Sequence, residues 1–423
     1  MRSTPRERWS WYFYDFGNST YVSVVLLAIG SVYFKEQVVG GAEGSRWWGI
    51  ALFLSTLVVG LLAPVLGAIA DHSAKKKRFL AVTTALCCLA TAGLSQVQPG
   101  QLGLGLLLFV LAEVGYRGGQ VFYDSLLPEI ADEEDVGKVS GYGFALGTVG
   151  GILILLLLQG LAKVSGAAVP PSTAFLVCAV MFGLSTLPIF LFLRERGTPR
   201  PLQAGESRLG AALAQVRQTV ATARRFPDLL AFMLAFLFFN AGVMMVLDFA
   251  GIIGKVVYAL EQQGLVRFFI LVQVANVVGA LVFGKLADRV GPRGSLYAAL
   301  ATFFAAVVLL VMMKPVGAFY ALGTAAGFAM AGIQAVSRTF VALLIPRDQS
   351  AELFGFYALG SRISALVGPA LYGLLAAEGA QHFLSTGVEG AEAERMGQKL
   401  AIASIAAFVA VGAVLLRRAP ARA

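Results

Sequence analysis

The sequence predicts an all-α membrane protein with twelve transmembrane helices arranged as two pseudo-symmetric six-helix bundles. Three observations lead to this prediction. Of the 423 residues, 58% are hydrophobic and only 13% are charged, whereas soluble domains are about half apolar and about a quarter charged. Twelve long apolar runs are separated by short polar segments. Two sequence patterns recur about half a chain length apart, and internal repeats of this kind are typical of transporters.

The apolar runs have the length that a membrane requires, because a helix needs about 20 residues to cross a hydrocarbon core of about 30 Å. In the first half the runs are Trp11 to Phe34, Trp47 to Ala70, Phe79 to Val97, Leu102 to Leu127, Val139 to Ala162 and Thr173 to Leu193. In the second half they are Leu229 to Gly254, Leu265 to Ala287, Leu296 to Met313, Val316 to Ile345, Leu353 to Ala377 and Leu400 to Leu416.

The repeat is clearest where an apolar run ends in an acid followed by cations. Gly67 to Asp71 precedes Lys75 to Arg78, and Gly284 to Asp288 precedes Arg289 in the second half. A second pattern, with Pro128 in one copy and Pro346 in the other, repeats at a similar offset. We therefore predict an N-terminal bundle over 1–193, a cytoplasmic linker over 194–228 that includes a surface helix from Leu209 to Arg225, and a C-terminal bundle over 229–423.

The net charge of +9 does not indicate nucleic-acid binding, because the cations stand in short blocks between apolar runs. The three cysteines all lie within apolar runs, which favours neither a disulfide framework nor a metal site. The sequence contains no phosphate-binding loop, zinc pair or nucleophile elbow. We therefore expect a protein that is not an enzyme, requires no cofactor or metal, and drives any transport by ion gradients.

Orientation follows from the distribution of Lys and Arg among the loops. Most of the 33 cations fall on one side when the loops are alternated, and cytoplasmic loops are the ones enriched in Lys and Arg. This predicts that both termini are cytoplasmic. Short loops and termini favour the inner membrane of a bacterium, and we expect a monomer surrounded by the lipid bilayer.

The fourth run carries the strongest candidate site. Glu113, Arg117, Gln120 and Asp124 fall within about 60° of one another at 100° per residue, and charged groups in hydrocarbon are costly unless they have a role. Glu113 and Arg117 have the spacing of an ion pair on one helix face. One interpretation is a site that binds a polar solute and exchanges the pair for a proton or for the solute. The alternative is a structural ion pair that lowers the cost of burying both charges.

Polar residues in other runs are further candidates for solute binding or coupling. Asp15 and Asn18 lie near the predicted cytoplasmic end of the first run, where Asp15 has a capping, gating or solute-binding role. Amides in the later runs line a cavity or form hydrogen bonds between helices, and arginines suit a carboxylate solute because guanidinium can bind it with two bonds. In the second half these candidates are Asn240, Asp248, Gln273, Asn276, Gln334, Arg338 and Arg362.

Glycines four residues apart in the fifth run, at Gly143, Gly147 and Gly151, predict close helix packing rather than a ligand site.

The two Gly-x-x-Ala-Asp motifs resemble the signature of the major facilitator superfamily. Within it, the chain is similar to the branch that contains the fungal vacuolar amino-acid effluxer. The similarity extends over nearly the whole chain and includes the motifs Tyr14 to Ser19, Phe122 to Ile130, Val139 to Gly143 and Gly355 to Leu359.

This resemblance implies two bundles that rock about a central cavity and expose it to each side in turn. It also implies gating residues at Gly67, Asp71, Gly284, Asp288 and Arg289, with Asp71 contacting the start of the eleventh span and holding the cytoplasmic side shut. The first motif departs from the family pattern after Asp71, where His72 replaces the arginine that the second motif keeps at Arg289.

We therefore expect a secondary active transporter that works by alternating access and exports small polar solutes of the amino-acid type, with protons as the candidate coupling ion. Glu113 is the expected coupling acid, and Arg117, Arg338 or Arg362 the expected solute-binding cation. One alternative is an exporter of amphipathic or lipid-like compounds. Another is a membrane receptor or scaffold that has the same fold and does not transport.

Overall fold

The computed structural model of this chain describes residues 3–73, 75–131, 135–196, 222–313, 315–344 and 350–419, with only the backbone described for 63–65, 67–73, 136–137, 350–352 and 354. Within these ranges the chain is helical apart from short connections and contains no strand. The predicted all-α fold is confirmed. The predicted surface helix from Leu209 to Arg225 lies almost entirely outside the described residues, and the predicted linker 194–228 is described only at its ends.

The described helices follow the predicted apolar runs. In the first half they are α1 (Pro5–Tyr21), α2 (Gly30–Tyr33), α3 (Glu43–Ser73), α4 (Lys76–Leu94), α5 (Leu102–Ser125), α6 (Leu127–Ile130), α7 (Val136–Ser165) and α8 (Pro171–Phe192). In the second half they are α9 (Pro227–Val256), α10 (Gln262–Val290), α11 (Pro292–Met312), α12 (Val316–Leu344), α13 (Ser350–Ser385) and α14 (Gly390–Leu415). Among the described residues, 11 helices are long and apolar enough to cross a membrane, and a bent twelfth span joins α1 to α2.

Helix starts follow from local sequence. At α1, the Thr4 hydroxyl accepts a hydrogen bond from the Glu7 N–H at 3.3 Å, and the Glu7 carboxylate accepts one from the Thr4 N–H at 2.8 Å. This capping box, with Pro5 at the first helical position, satisfies amides that a helix start leaves unpaired. Helix α14 begins at Gly390 rather than at the predicted Leu400, because its first turns are polar and hydropathy alone does not detect them.

The first span is not the single straight helix that its hydropathy predicts. After Tyr21 the chain winds as a π-helix from Val22 to Ala28, and the Ile29 N–H donates to the Val24 carbonyl at 3.1 Å, five residues back. The axis bends by 40° at Ile29. A second π-helical stretch, Phe34–Val39, follows α2. Wider π-helical turns of this kind are frequent at functional sites.

The described chain divides into two compact units. One contains Met1–Val39 and Leu54–Val216, and the other contains Gly40–Phe53 and Arg217–Ala423. In the first unit, α1 packs on α7 and α8, while α4 packs on α5 and α8. In the second, α9 packs on α13 and α14, while α11 packs on α12 and α14. Each unit therefore has the same order of helix pairing, although the domain boundaries predicted from the sequence stay a prediction.

One end of the first unit is held by an ionic network. The Arg196 guanidinium donates to both oxygens of the buried Glu7 carboxylate at 2.8 Å, and the Arg196 N–H donates to Glu129 at 2.7 Å. Lys76 also pairs with Glu129 at 2.7 Å. Charge-assisted hydrogen bonds are stronger than neutral ones, so the network fixes the chain that follows α8 against the start of α1 and against α6.

Candidate polar solute site

The face of α5 opposite the polar stripe carries glycines, and neighbouring helices pack closely against it. A Cβ at Gly115 would lie 2.6 Å from the Cys87 amide nitrogen, and one at Gly119 would lie 2.9 Å from the Tyr14 hydroxyl. The missing side chains let α4 and α1 approach closely, as small residues do in membrane helices. At 100° per residue, Glu113 points away from Gly115. Close packing on one face thus fixes the direction of the acid on the other.

Glu113 and Arg117 form the ion pair that their spacing predicts. The Arg117 Nε donates to Glu113 Oε2 at 2.5 Å. The Glu113 side chain is fully buried, whereas that of Arg117 is 26% exposed. The second oxygen, Glu113 Oε1, is buried and has no hydrogen-bond partner among the described residues. A buried carboxylate oxygen without a donor is costly, so this atom is the natural place for a proton or for a cationic group of a ligand.

Two tyrosines, which the sequence analysis did not single out, enclose this acid. The rings of Tyr21 and Tyr116 stack with centroids 5.0 Å apart. The buried Tyr21 hydroxyl lies beside the Glu113 carboxylate and interacts with it as a hydrogen-bonding group, although the two do not meet the geometry of a regular hydrogen bond. Gln120 Nε2 donates to the Tyr116 hydroxyl at 3.1 Å. The one available signal was position, since Tyr116 precedes Gln120 by four residues and is therefore on the same helix face.

The structure brings a second pair of carboxylates near this cluster. Asp15 of α1 occupies the space that a side chain at Gly147 would fill, because a Cβ there would lie 2.9 Å from Asp15 Oδ2. Asp15 interacts electrostatically with Asp124 of α5 and with the Asn18 amide. It also interacts with Tyr116, which links the Asp15 group to Glu113. All six predicted polar residues of the first unit therefore lie in two neighbouring groups on α1 and α5.

Glycine packing on α7 is confirmed at two of the predicted positions, and the prediction for Gly151 stays a prediction. A Cβ at Gly143 would lie 2.5 Å from the Trp11 ring, and one at Gly147 would meet Asp15 and Ser19. The closest backbone approach is at Gly150, where a Cβ would overlap the Phe16 carbonyl oxygen. The contact with α1 therefore also includes Gly150, which the glycine spacing did not single out.

The candidates of the second unit are more dispersed. Gln334 Nε2 donates to Asn240 Oδ1 at 2.8 Å, and Asn240 is fully buried. The Asp248 carbonyl accepts from the Trp48 indole at 2.9 Å. Arg338, on the accessible surface of α12, interacts with the Tyr357 hydroxyl of α13. The remaining three predicted residues are half-buried side chains on α10 and α13, namely Gln273, Asn276 and Arg362.

The predicted gating residues stand at helix ends. Gly284, Asp288 and Arg289 lie in the last turns of α10, and both charged side chains are exposed. Gly67 and Asp71 lie in the last turns of α3, but their side chains are outside the described part of the structure. The predicted contact of Asp71 with the eleventh span therefore stays a prediction. Within the described ranges, no group of three or more His, Cys, Asp or Glu side chains has the geometry of a metal site.

The sequence matches the family described as vacuole effluxer Atg22 like over residues 50–381. An uncharacterized MFS-type transporter of Bacillus subtilis, YxiO, is 27% identical over 89% of this chain and 90% of its own length. Autophagy-related protein 22-1 of Penicillium rubens is 24% identical over 56% of this chain and 44% of its own.

Solved structures show the same fold. A mutant of the nucleoside transporter NupG superposes with a TM-score of 0.74 at 13% identity, covering 97% of this chain and 99% of its own. A bacterial homologue of the human lysosomal transporter Spinster, in an inward-facing and unoccupied conformation, superposes with a TM-score of 0.71 at 15% identity. The match covers 99% of this chain and 97% of the homologue. The predicted major facilitator fold is therefore confirmed.

Proposed function

Because this chain belongs to the Atg22-like vacuole effluxer family and is an integral membrane transporter of the major facilitator type, we propose that it exports amino acids or similar zwitterionic solutes in exchange for protons. Glu113 carries the proton, and Arg117 binds the solute carboxylate. Arg338 and Arg362 are the proposed solute-binding cations of the second unit. The protein acts by alternating access in the inner membrane of a bacterium, with both termini in the cytoplasm.

The observation that carries this proposal is the asymmetry of the Glu113 carboxylate. One oxygen accepts from Arg117 at 2.5 Å, while the other is buried beside the Tyr21 hydroxyl and forms no hydrogen bond of regular geometry with the described residues. Membrane proteins tolerate such a group mainly where it serves ion or solute movement. A purely structural ion pair is most stable when the remaining lone pairs are satisfied as well, and here one oxygen is left open.

The same geometry supports exchange of a solute for a proton. Glu113 Oε1 is fully buried in the present conformation, so the alternating-access cycle must open the site before a zwitterion places its ammonium group there and its carboxylate on the partly exposed Arg117. Guanidinium binds carboxylate with two parallel hydrogen bonds. A proton on Glu113 removes the charge that holds the ammonium group, so proton and solute exclude one another. Mutually exclusive binding at one acid is the requirement for antiport, in which a proton enters as a solute leaves.

The test is transport by the purified protein in liposomes loaded with an amino-acid mixture. We expect counterflow of labelled amino acid without a gradient, and accumulation when a pH gradient is imposed. The Glu113→Gln variant should lose both counterflow and gradient-driven accumulation, because glutamine, like the protonated acid, lacks the negative charge that holds the ammonium group of the solute. The matched control is Glu389→Gln, which removes an exposed acid at the start of α14.

Two results would contradict the proposal. If folded wild-type protein takes up none of the amino acids, the solute class is wrong, and amphipathic compounds become the next solutes to assay. If Glu113→Gln accumulates solute as wild type does, Glu113 is a structural acid and the coupling group lies elsewhere. A loss of both activities in the Glu389→Gln control would show that acid-to-amide changes disturb the protein generally.

A further inference from the structure

A cavity of about 840 Å³ lies beside the first turns of α1 and α7, away from the Glu113 stripe. On the α7 side it is lined by Ala145 and by the larger side chains of Tyr142, Leu146 and Val149. The latter three positions are four and three residues apart, which puts them along one face of the helix. Tyr142 is 64% exposed and Val149 is 44% exposed. Among the described residues, the cavity therefore presents an apolar strip that runs along the helix axis from its N-terminal end.

Aromatic rings surround the mouth of this cavity. Trp9 is 55% exposed, and its ring lies edge-on to Tyr12 with centroids 5.7 Å apart. Tyr12 in turn lies 6.1 Å from the Tyr142 ring. Trp and Tyr concentrate at the level of lipid headgroups, where one part of the ring is apolar and the other is wet. The three rings therefore favour a position for this cavity at the level of the lipid headgroups, with the α7 strip extending from there toward the middle of the span.

An ion pair stands on the wall among these rings. Arg8 Nη2 lies 2.6 Å from Asp135 Oδ2, and the two side chains are 28% and 29% exposed. Arg8 is also held by Ser3, because its Nε donates to the Ser3 hydroxyl at 2.8 Å, and that hydroxyl donates to the Ile130 carbonyl at 2.5 Å. The cavity wall thus carries one cation and one anion at fixed positions, and both charges are accessible to a ligand.

We propose that this cavity binds a membrane phospholipid with a phosphoethanolamine headgroup. The phosphate accepts from Arg8, the primary ammonium group donates to Asp135, and an acyl chain lies along Tyr142, Leu146 and Val149. The charges select this headgroup, because an anionic headgroup would leave Asp135 facing negative charge. A quaternary amine has no N–H to donate, whereas the charge-assisted hydrogen bonds of a primary ammonium are among the stronger ones in proteins.

The test measures lipid binding to the full-length protein by native mass spectrometry, with phosphatidylethanolamine, phosphatidylglycerol and phosphatidylcholine of identical acyl chains. We expect the ethanolamine lipid to bind about tenfold more tightly than either of the others, as loss of one charged hydrogen bond implies. This comparison uses wild-type protein, so it does not depend on the folding of any variant, and it is independent of whether amino acids are transported.

Variants then locate the site. Arg8→Gln and Asp135→Asn should each reduce the preference for the ethanolamine lipid to within about twofold. Lys138→Gln, which removes an exposed cation of the same helix that is not on the cavity wall, should keep it. Equal binding of all three lipids by wild type would overturn the proposal. A preference for phosphatidylglycerol that Lys138→Gln abolishes would overturn it as well, because it would show general attraction of anionic lipid to basic residues.

Discussion

At the scale of single residues, the buried acid of α5 is surrounded by tyrosines that the sequence did not predict. Glu113 could be singled out from sequence because a carboxylate inside an apolar run is rare and costly. Tyr21 and Tyr116 could not, because tyrosines in apolar runs are usual at membrane interfaces and carry no such cost. Only the bend of the first span and the packing of α5 show that their rings meet beside Glu113. Charge was therefore predictable, and the aromatic shell around it was not.

Lys35 was missed for a related reason. Its side chain is only 2% exposed, and its ammonium group pairs with the Glu36 carboxylate at 2.5 Å. Hydropathy ended the first span at Phe34, which placed the next residue in a loop. The helical winding continues to Val39 instead, so this lysine is part of the packed first unit.

The Glu113 pair leads to a prediction about stability. Arg117→Gln leaves a fully buried carboxylate without its cation, and removing one partner of a buried pair costs about 3 to 5 kcal/mol. We expect the lower end of that range, because Arg117 is 26% exposed and water can reach the site. The double variant with Glu113→Gln should recover most of this loss, since the lone charge is then absent. Thermal unfolding of the purified proteins in detergent gives the comparison.

The control for this cycle is Arg395→Gln, which breaks the exposed pair with Glu392. Exposed pairs contribute about 0 to 1 kcal/mol, so this variant should unfold close to wild type. An Arg117→Gln protein as stable as the Arg395→Gln protein would mean that water screens the Glu113 site and that the carboxylate is not held in a dry environment.

At the scale of the helix, glycines determine where two helices can pack most closely. The sequence predicted that the glycine spacing of α7 serves packing, and the structure gives α1 as the partner. It could not predict that the closest approach falls at Gly150, because that depends on the rotation of α1 about its own axis. The bend at Ile29 was equally hidden. Gly30 directly follows the bend, and a Cβ there would overlap the Val25 carbonyl oxygen, so the bent chain needs a glycine at this position. A single glycine in an apolar run was not enough to predict the bend from sequence.

Two alanine substitutions in α7 test this account. At Gly150 a Cβ would overlap the Phe16 carbonyl oxygen, whereas at Gly160, on the same helix, nothing lies within 4 Å. Gly150→Ala should destabilise the protein by about 1 to 3 kcal/mol, as overpacking does. Gly160→Ala should be neutral or stabilising by about 0.5 to 1 kcal/mol, because alanine is the better helix former. The measurement is the thermal unfolding of the two variants and of the wild-type protein. Equal stability of the two variants would show that α1 can move away from α7 at little cost.

At the scale of the whole molecule, the sequence repeat corresponds to a repeat of helix contacts. In the first unit, Gly17 of α1 packs on α8, and Gly150 of α7 packs on the α1 backbone. In the second unit, Gly242 of α9 packs on α14, and Gly368 of α13 packs on the α9 backbone. Few of these glycines belong to the motifs that revealed the repeat. The duplication is therefore visible in the sequences of the loops. The helix contacts that repeat in the two units can be identified only from the structure.

The distribution of charge across the loops predicts the orientation of the chain. Lys and Arg concentrate in loops that stay in the cytoplasm, and Lys75 with its neighbours and Arg417 with Arg418 form such groups. Single cysteines at Lys75 and Arg418 should therefore react with a membrane-impermeant maleimide only after the cells are permeabilised. Cysteines at Gln98 and Thr386, which stand at the opposite ends of their helices, should react in intact cells.

All four probe positions are exposed, so a lack of labelling in intact cells reports the side of the membrane and not burial. The background must lack the native cysteines, and Cys87, Cys88 and Cys178 can be replaced by alanine for this purpose. Labelling of the Lys75 and Arg418 sites, but not of Gln98 and Thr386, in intact cells would reverse the orientation. Proton-driven export would remain export in either orientation, because in antiport the direction of the proton gradient sets the direction of net solute movement. The labelling pattern therefore tests the topology of the chain independently of the direction of transport.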